Sequence, residues 1–134
     1  MPTGQTKDAG WNIGVSKTLP YPVNEVWEFV VSPAGIALWL GDGVELTDGA
    51  PYKTDDGTVG EVRSLHEDDR VRLTWHPADW PHESTVQVAV SAAGSKTVLR
   101  FHQERLADAD ERERQRTHWQ QVMAAVIEGL DGRE

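Results

Sequence analysis

The stretch that most constrains this chain is its C-terminal one, Asp108 to Leu130, which carries the longest uninterrupted helical pattern in the sequence. Trp119, Val122, Met123, Val126, Ile127 and Leu130 recur at i, i+3, i+4, i+7, i+8 and i+11, while Gln120, Gln121 and Glu128 fall elsewhere on the wheel. One face of such a helix has to be buried. Asp108 or Asp110 can cap the amide groups of the first turn, acidic residues enrich that turn, and Gly129 and Gly132 flank the expected end. A helix of about 20 residues spans roughly 30 Å, long enough to lie across a whole small sheet. The chain upstream is read as the surface it covers.

At 134 residues the chain fits one domain, which can bury about two-thirds of its unfolded surface. We expect a single domain over residues 11–134, preceded by a flexible tail over 1–10, a polar segment that reads as neither signal peptide nor membrane anchor. With no cysteine, thiolate chemistry and disulfides are excluded, and a cytoplasmic location is expected. The 22 acidic and 13 basic residues give a formal net charge of -9, which repels a phosphate backbone unless the basic residues cluster. Arg112, Arg114 and Arg116 are interleaved with acids, so no nucleic-acid partner is expected, and no membrane insertion.

Taken in order, Trp11, Ile13, Val15 and Leu19 share one parity and read as a half-buried strand, stopped by Pro20 and Pro22. Val23, Val26, Trp27 and Val30 then take helical spacing. Ser32-Pro33 reads as an N-cap followed by proline at the first helical position of a second short helix, which Trp39 and Leu40 close before Gly41-Asp42-Gly43. Period-two pattern and turn chemistry govern the chain from there to Leu106. Val44 and Leu46 precede Asp48-Gly49, and Tyr52 precedes Asp55-Asp56-Gly57, a hairpin signal across which two strands should pair. Val59, Val62 and Leu65 do not share one parity, which predicts a bulge or an early end. Val71, Leu73 and Trp75, then Val86, Val88 and Val90, then Leu99 and Phe101 alternate with polar neighbours, as consecutive antiparallel strands do when one face meets water and the other is covered.

One strand, two helices, about six strands in a meander and one long helix make an α+β chain that resembles the helix-grip fold. Pro22-x-x-x-Val26-Trp27, Trp39, Gly49-x-x-Tyr52, Asp56-Gly57-Thr58-x-Gly60-Glu61-Val62, the strand Arg70 to Trp75, Ser84-Thr85-Val86-x-Val88 and the terminal His118-Trp119 helix resemble the START-like, or SRPBCC, superfamily. More narrowly, they resemble its branch named after activators of the heat-shock protein 90 ATPase. The resemblance runs from about Trp11 to Leu130. It implies a sheet of about six to seven strands curled around the long helix, with a cavity between them that commonly takes lipids or other small apolar molecules.

Under that reading Trp75 and Phe101, with Trp39 and Tyr52, face Trp119 and Met123 of the long helix as candidate ligand contacts, against the plainer alternative that they fill a core. Trp80, in the segment Trp75 to His82, is a candidate lid over a pocket mouth. The branch often carries a histidine near the end of the last strand; the matching position here is Gln103, with His102 one residue earlier on the opposite face. Glu61 is the one candidate acid or base: facing an apolar cavity its pKa would rise, whereas on a solvated strand it would pair with Arg63 or Arg72. His76 and His82 match no standard metal spacing, so no metal site or cofactor is expected. The run Glu111-Arg112-Glu113-Arg114 reads as the solvated start of the helix. The expected function is binding of a small hydrophobic molecule, by a monomer or homodimer. The alternatives are a cyclase, dehydratase or hydrolase acting on a polyketide-like substrate, or a chaperone-associated protein; the chaperone partner follows from the branch name alone and is not expected.

Overall fold

A computed structural model describes residues 5–6 and 10–132. Seven strands form one antiparallel sheet: β1 (Gln5–Thr6), β2 (Gly10–Leu19), β3 (Pro51–Lys53), β4 (Val59–His66), β5 (Arg70–Trp75), β6 (Ser84–Ala93) and β7 (Lys96–Leu106), in the spatial order β1-β2-β7-β6-β5-β4-β3. Helices α1 (Val23–Val30) and α2 (Pro33–Trp39) follow β2, and α3 (Ala109–Asp131) closes the chain. This is the helix-grip arrangement, in which the sheet curves around the long helix. Of the tail expected over residues 1–10, residues 1–4 and 7–9 lie outside the described residues, while Gln5 and Thr6 pair with Trp11 and Gly10 at the sheet's edge.

The turn and cap signals act as their chemistry requires. Ser32 accepts a hydrogen bond from the Gly35 amide at 3.1 Å and leads into Pro33 at the start of α2. Asp108 accepts from the Glu111 amide at 2.8 Å and opens α3. The broken parity of Val59, Val62 and Leu65 corresponds to a register shift between Val62 and Ser64 against β5. Val44 and Leu46 join no strand: residues 41–50 run as an irregular connection between α2 and β3.

The core lies between the concave face of the sheet and α3. Trp119, Val122, Met123, Val126 and Leu130 are buried on one face of the helix, against Ile13, Leu73, Val86, Val88, Leu99 and Phe101 from the strands and Val26, Val30 and Ile36 from the short helices. The buried face also extends two turns towards the N-terminus through Glu111 and Gln115. The expectation that the Glu111 to Arg114 run is a solvated start is therefore corrected at its first residue. Glu111 Oε1 accepts from the Ala107 amide at 2.9 Å and lies 2.8 Å from His82 Nε2, so a polar contact rather than an apolar one docks the first turn. Arg112 Nε donates to the Asn12 carbonyl at 2.7 Å, which ties the same turn to β2.

Candidate ligand-binding recess

The residues singled out as ligand contacts divide into three groups. Phe101, Gln103, Trp119 and Met123 belong to the filled core. Phe101 and Trp119 stack with ring centroids 5.2 Å apart and planes at 16°, and each is 1 % exposed or less. Gln103 is fully buried with both ends of its amide engaged: Oε1 accepts from Trp119 Nε1 and from Gln115 Nε2, each at 2.9 Å, and Nε2 donates to Ser84 Oγ at 2.8 Å. Where a hollow centre was expected, a satisfied polar network ties β6, β7 and α3 together. Gln103 is 0 % exposed and its carbonyl oxygen is fully committed, and Met123 packs among buried neighbours. Tyr52 is likewise internal: its hydroxyl donates to the Thr74 carbonyl at 2.6 Å, and burial, with the Glu83 charge, pushes the phenol above its ordinary value, so it stays a neutral donor.

Glu61 does not face an apolar cavity. Its side chain is about half exposed and lies 3.2 Å from Arg63, while its amide donates to Thr74 Oγ1 at 2.8 Å. The acid-base role considered for it is thus removed by the strand's parity, which turns this side chain to solvent.

Trp39, Trp75 and Trp80 are brought together. They line a recess of about 620 Å³ at the mouth of the grip, where the end of β5 meets α3, walled by the C-terminal end of α2, the hairpin connecting β3 to β4, and the segment after Trp75. Trp75 lies parallel to His118 of α3 at 6.4 Å, and Trp80 meets Trp75 edge-on at 4.9 Å. The Trp80 carbonyl lies 2.8 Å from His76 Nε2, which fixes the segment in a tight loop over the recess. Trp39 is anchored from behind, its indole donating to the Val30 carbonyl at 2.9 Å. Asp42, Asp55, Asp56 and Thr58 complete the polar side. Asp56 accepts from Thr54 Oγ1 and from the Thr58 amide, hydrogen bonds that hold its pKa below the ordinary carboxylate value.

His118 is the site residue that sequence reasoning passed over. Its helical position next to Trp119 places it one step around from the buried face, at the edge where helix and sheet diverge. Burial lowers its pKa, keeping the imidazole neutral near pH 7, and its Nε2 is the one buried side-chain nitrogen or oxygen without a hydrogen-bond partner among the described residues. Asp42 was also missed. Its signal was the flanking glycines: Gly41 and Gly43 have φ of 150° and 81°, and a Cβ on either would meet Thr54 at 2.8 Å or Asp55 at 2.2 Å. Residues 41–43 thus form a strap pressed against the hairpin, which sets Asp42 at the junction of the recess and a second, larger groove.

That groove, of about 990 Å³, lies on the far side of the strap. Val31, Ile36, Val44, Leu46 and Leu65 contribute its apolar surface, with Glu28, Glu45 and Glu67 around it. Val44 and Leu46 reach it because the connection carrying them is irregular. No group of three or more potential metal ligands occurs among the described residues, and no helix among them is long and apolar enough to cross a membrane.

A profile of the family described as Activator of Hsp90 ATPase homolog 1-like protein matches residues 20–130. No curated protein matches the sequence. Among solved structures, DynU16, a protein in the dynemicin biosynthetic locus, superposes with a TM-score of 0.80 at 24% identity over 90% of this chain. This chain spans about half of that protein, 47% of its length. CalU16 from Micromonospora echinospora superposes with a TM-score of 0.78 at 20% identity, over 96% of this chain and 81% of its own. PFC0360w, an HSP90 activator from Plasmodium falciparum, does so with a TM-score of 0.74 at 20% identity, over 92% of this chain and 97% of its own. At these identities the likeness is one of fold.

Proposed function

This chain belongs to the family of Activator of Hsp90 ATPase homolog 1-like proteins, and on that premise we propose that it binds a small hydrophobic, aromatic molecule in the recess between β5 and α3. The observation that carries the reading is the aromatic arrangement of Trp75, Trp80 and His118 at the mouth of the grip, beside Trp39. A concave site of a few hundred Å³ with aromatic walls and a few polar groups is the usual form of a small-molecule pocket. Stacking on exposed ring faces supplies affinity, while the Asp42 to Thr58 side orients the guest. Trp80, on a connecting loop, is suited to fold over a bound ring.

This places the ligand further out than the sheet-to-helix centre, which Phe101, Gln103 and Trp119 fill. The solvent-facing Glu61 withdraws the one acid-base group that favoured an enzyme. The chaperone reading rests on the family's description and on an HSP90 activator that shares the fold; the aromatic recess favours a small molecule over it.

Thermal-shift and native mass-spectrometric screening with aromatic and lipid-like metabolites tests the proposal. We expect bound species whose retention falls in Trp80→Ala and Trp75→Leu. Failure of every compound to bind, or binding indifferent to both substitutions, would overturn it.

A further inference from the structure

Among the described residues, no lysine or arginine lines the recess or the groove beyond the strap. All the formally charged lining groups are carboxylates, with Asp42 common to both depressions. The remaining ionisable group in the recess, His118, is buried beside Trp75 and adds no positive charge when neutral. Asp42 and Asp55 make no ion pair with any described residue, and Asp55 donates its amide to the Asp42 carbonyl at 2.9 Å, so the two residues are held side by side. Carboxylates lining the same recess as the tryptophans make an arrangement that receives an organic cation: a ring quadrupole attracts positive charge, and the carboxylates add to that field. A carboxylate or phosphate ligand would meet like charge from Asp42, Asp55 and Asp56.

We infer that the molecule taken by the recess is an aromatic amine, its ring stacked against Trp75 and Trp80 and its ammonium directed towards Asp42 and Asp55. This rests on the recess being the binding site and adds the charge of the guest. The amine donates hydrogen bonds to carboxylate oxygens that lack a basic partner, while the apolar ring excludes water from the tryptophan faces. Because the two carboxylates are exposed, the electrostatic part of the preference is screened by salt, while the contribution of ring burial persists.

The test uses three probes of matched shape: 1-naphthylmethylamine as the cation, 1-naphthylmethanol as the neutral analogue and 1-naphthoate as the anion. Calorimetric titration at pH 7.5 and low salt should rank them cation, neutral, anion, with the amine about tenfold tighter than the alcohol, falling to about twofold in 0.5 M salt. The double variant Asp42→Asn/Asp55→Asn should bring amine and alcohol to within about twofold at low salt. An unchanged amide spectrum and thermal midpoint would show that this variant keeps its fold. Equal binding of amine and alcohol by the native chain, or preference for the anion, overturns the inference and leaves aromatic binding in the recess standing. Binding of none of the three overturns both. A native amine preference that survives the double substitution overturns the placement of the ammonium.

Discussion

Trp119 donates its indole N–H to Gln103 Oε1 at 2.9 Å while its ring stacks on Phe101, two positions earlier on the same strand as Gln103. One side chain of the helix is thus gripped through both its polar and its apolar parts by one inward-facing parity of β7. Trp119→Ala removes both contacts and should destabilise the fold by about 3–5 kcal/mol, the range for aromatic truncation in a core. Chemical denaturation of the variant measures it. A loss under about 1 kcal/mol would show that the stack is not part of the stabilising core.

Gln103→Leu nearly preserves volume but strands two buried donors, Trp119 Nε1 and Gln115 Nε2, while Ser84 Oγ keeps its bond to the Trp75 carbonyl. Each buried group left unsatisfied costs about 1–3 kcal/mol, so the total should reach at least about 2 kcal/mol even where water recovers some of it. Chemical denaturation of Gln103→Leu beside the native chain measures it, and a loss under about 1 kcal/mol would show that the network adds little to stability.

Met123 separates a packed centre from a hollow one. At 4 % exposure within the core, it should accept leucine for less than about 1.5 kcal/mol, whereas Met123→Trp has no room and should cost about 3 kcal/mol or prevent folding. A Met123→Trp protein as stable as the parent would reveal a void beside α3.

Trp80→Ala should act on binding far more than on folding. The ring is half-buried with Trp75 as an edge-on neighbour, a pair worth about 1 kcal/mol. Its midpoint of unfolding should fall slightly while affinity for an aromatic probe drops severalfold; the opposite pattern would make Trp80 a core residue.

Acid should loosen the helix-to-sheet contact through histidine. Burial lowers the pKa of His118, and of His102 on the outer face of β7, below the ordinary 6.5. The unfolded chain therefore takes up these protons first as pH falls, so the stability contributed by the neutral rings is complete above about pH 6.5 and is lost progressively below it. Thermal midpoints between pH 7.5 and 5 should decline, and His118→Asn should flatten part of that slope. A variant with the native slope would remove His118 from the account.

Sequence alone determined the elements and their order, because capping, proline placement and hydrophobic period act over a few neighbouring residues. Ser32-Pro33 started α2, Asp108 opened α3, and the broken parity of Val59, Val62 and Leu65 marked the shift opposite β5. Membership of the helix-grip class followed from those elements taken together. Which inward residues meet each other, and which remain open, was decided by how far the sheet closes on the helix, a property of no single segment. That closure brings Gln103 within hydrogen-bonding distance of Gln115 and Trp119 and fills the centre. The curvature that joins β7 to α3 leaves Trp75 and His118 at the opening edge, where Trp39, Trp80 and the strap at Asp42 converge from separate parts of the chain. Glu61 illustrates the same division: its place in a strand was legible, but the face it presents depends on the pairing register, and a single step of register exchanges core for solvent.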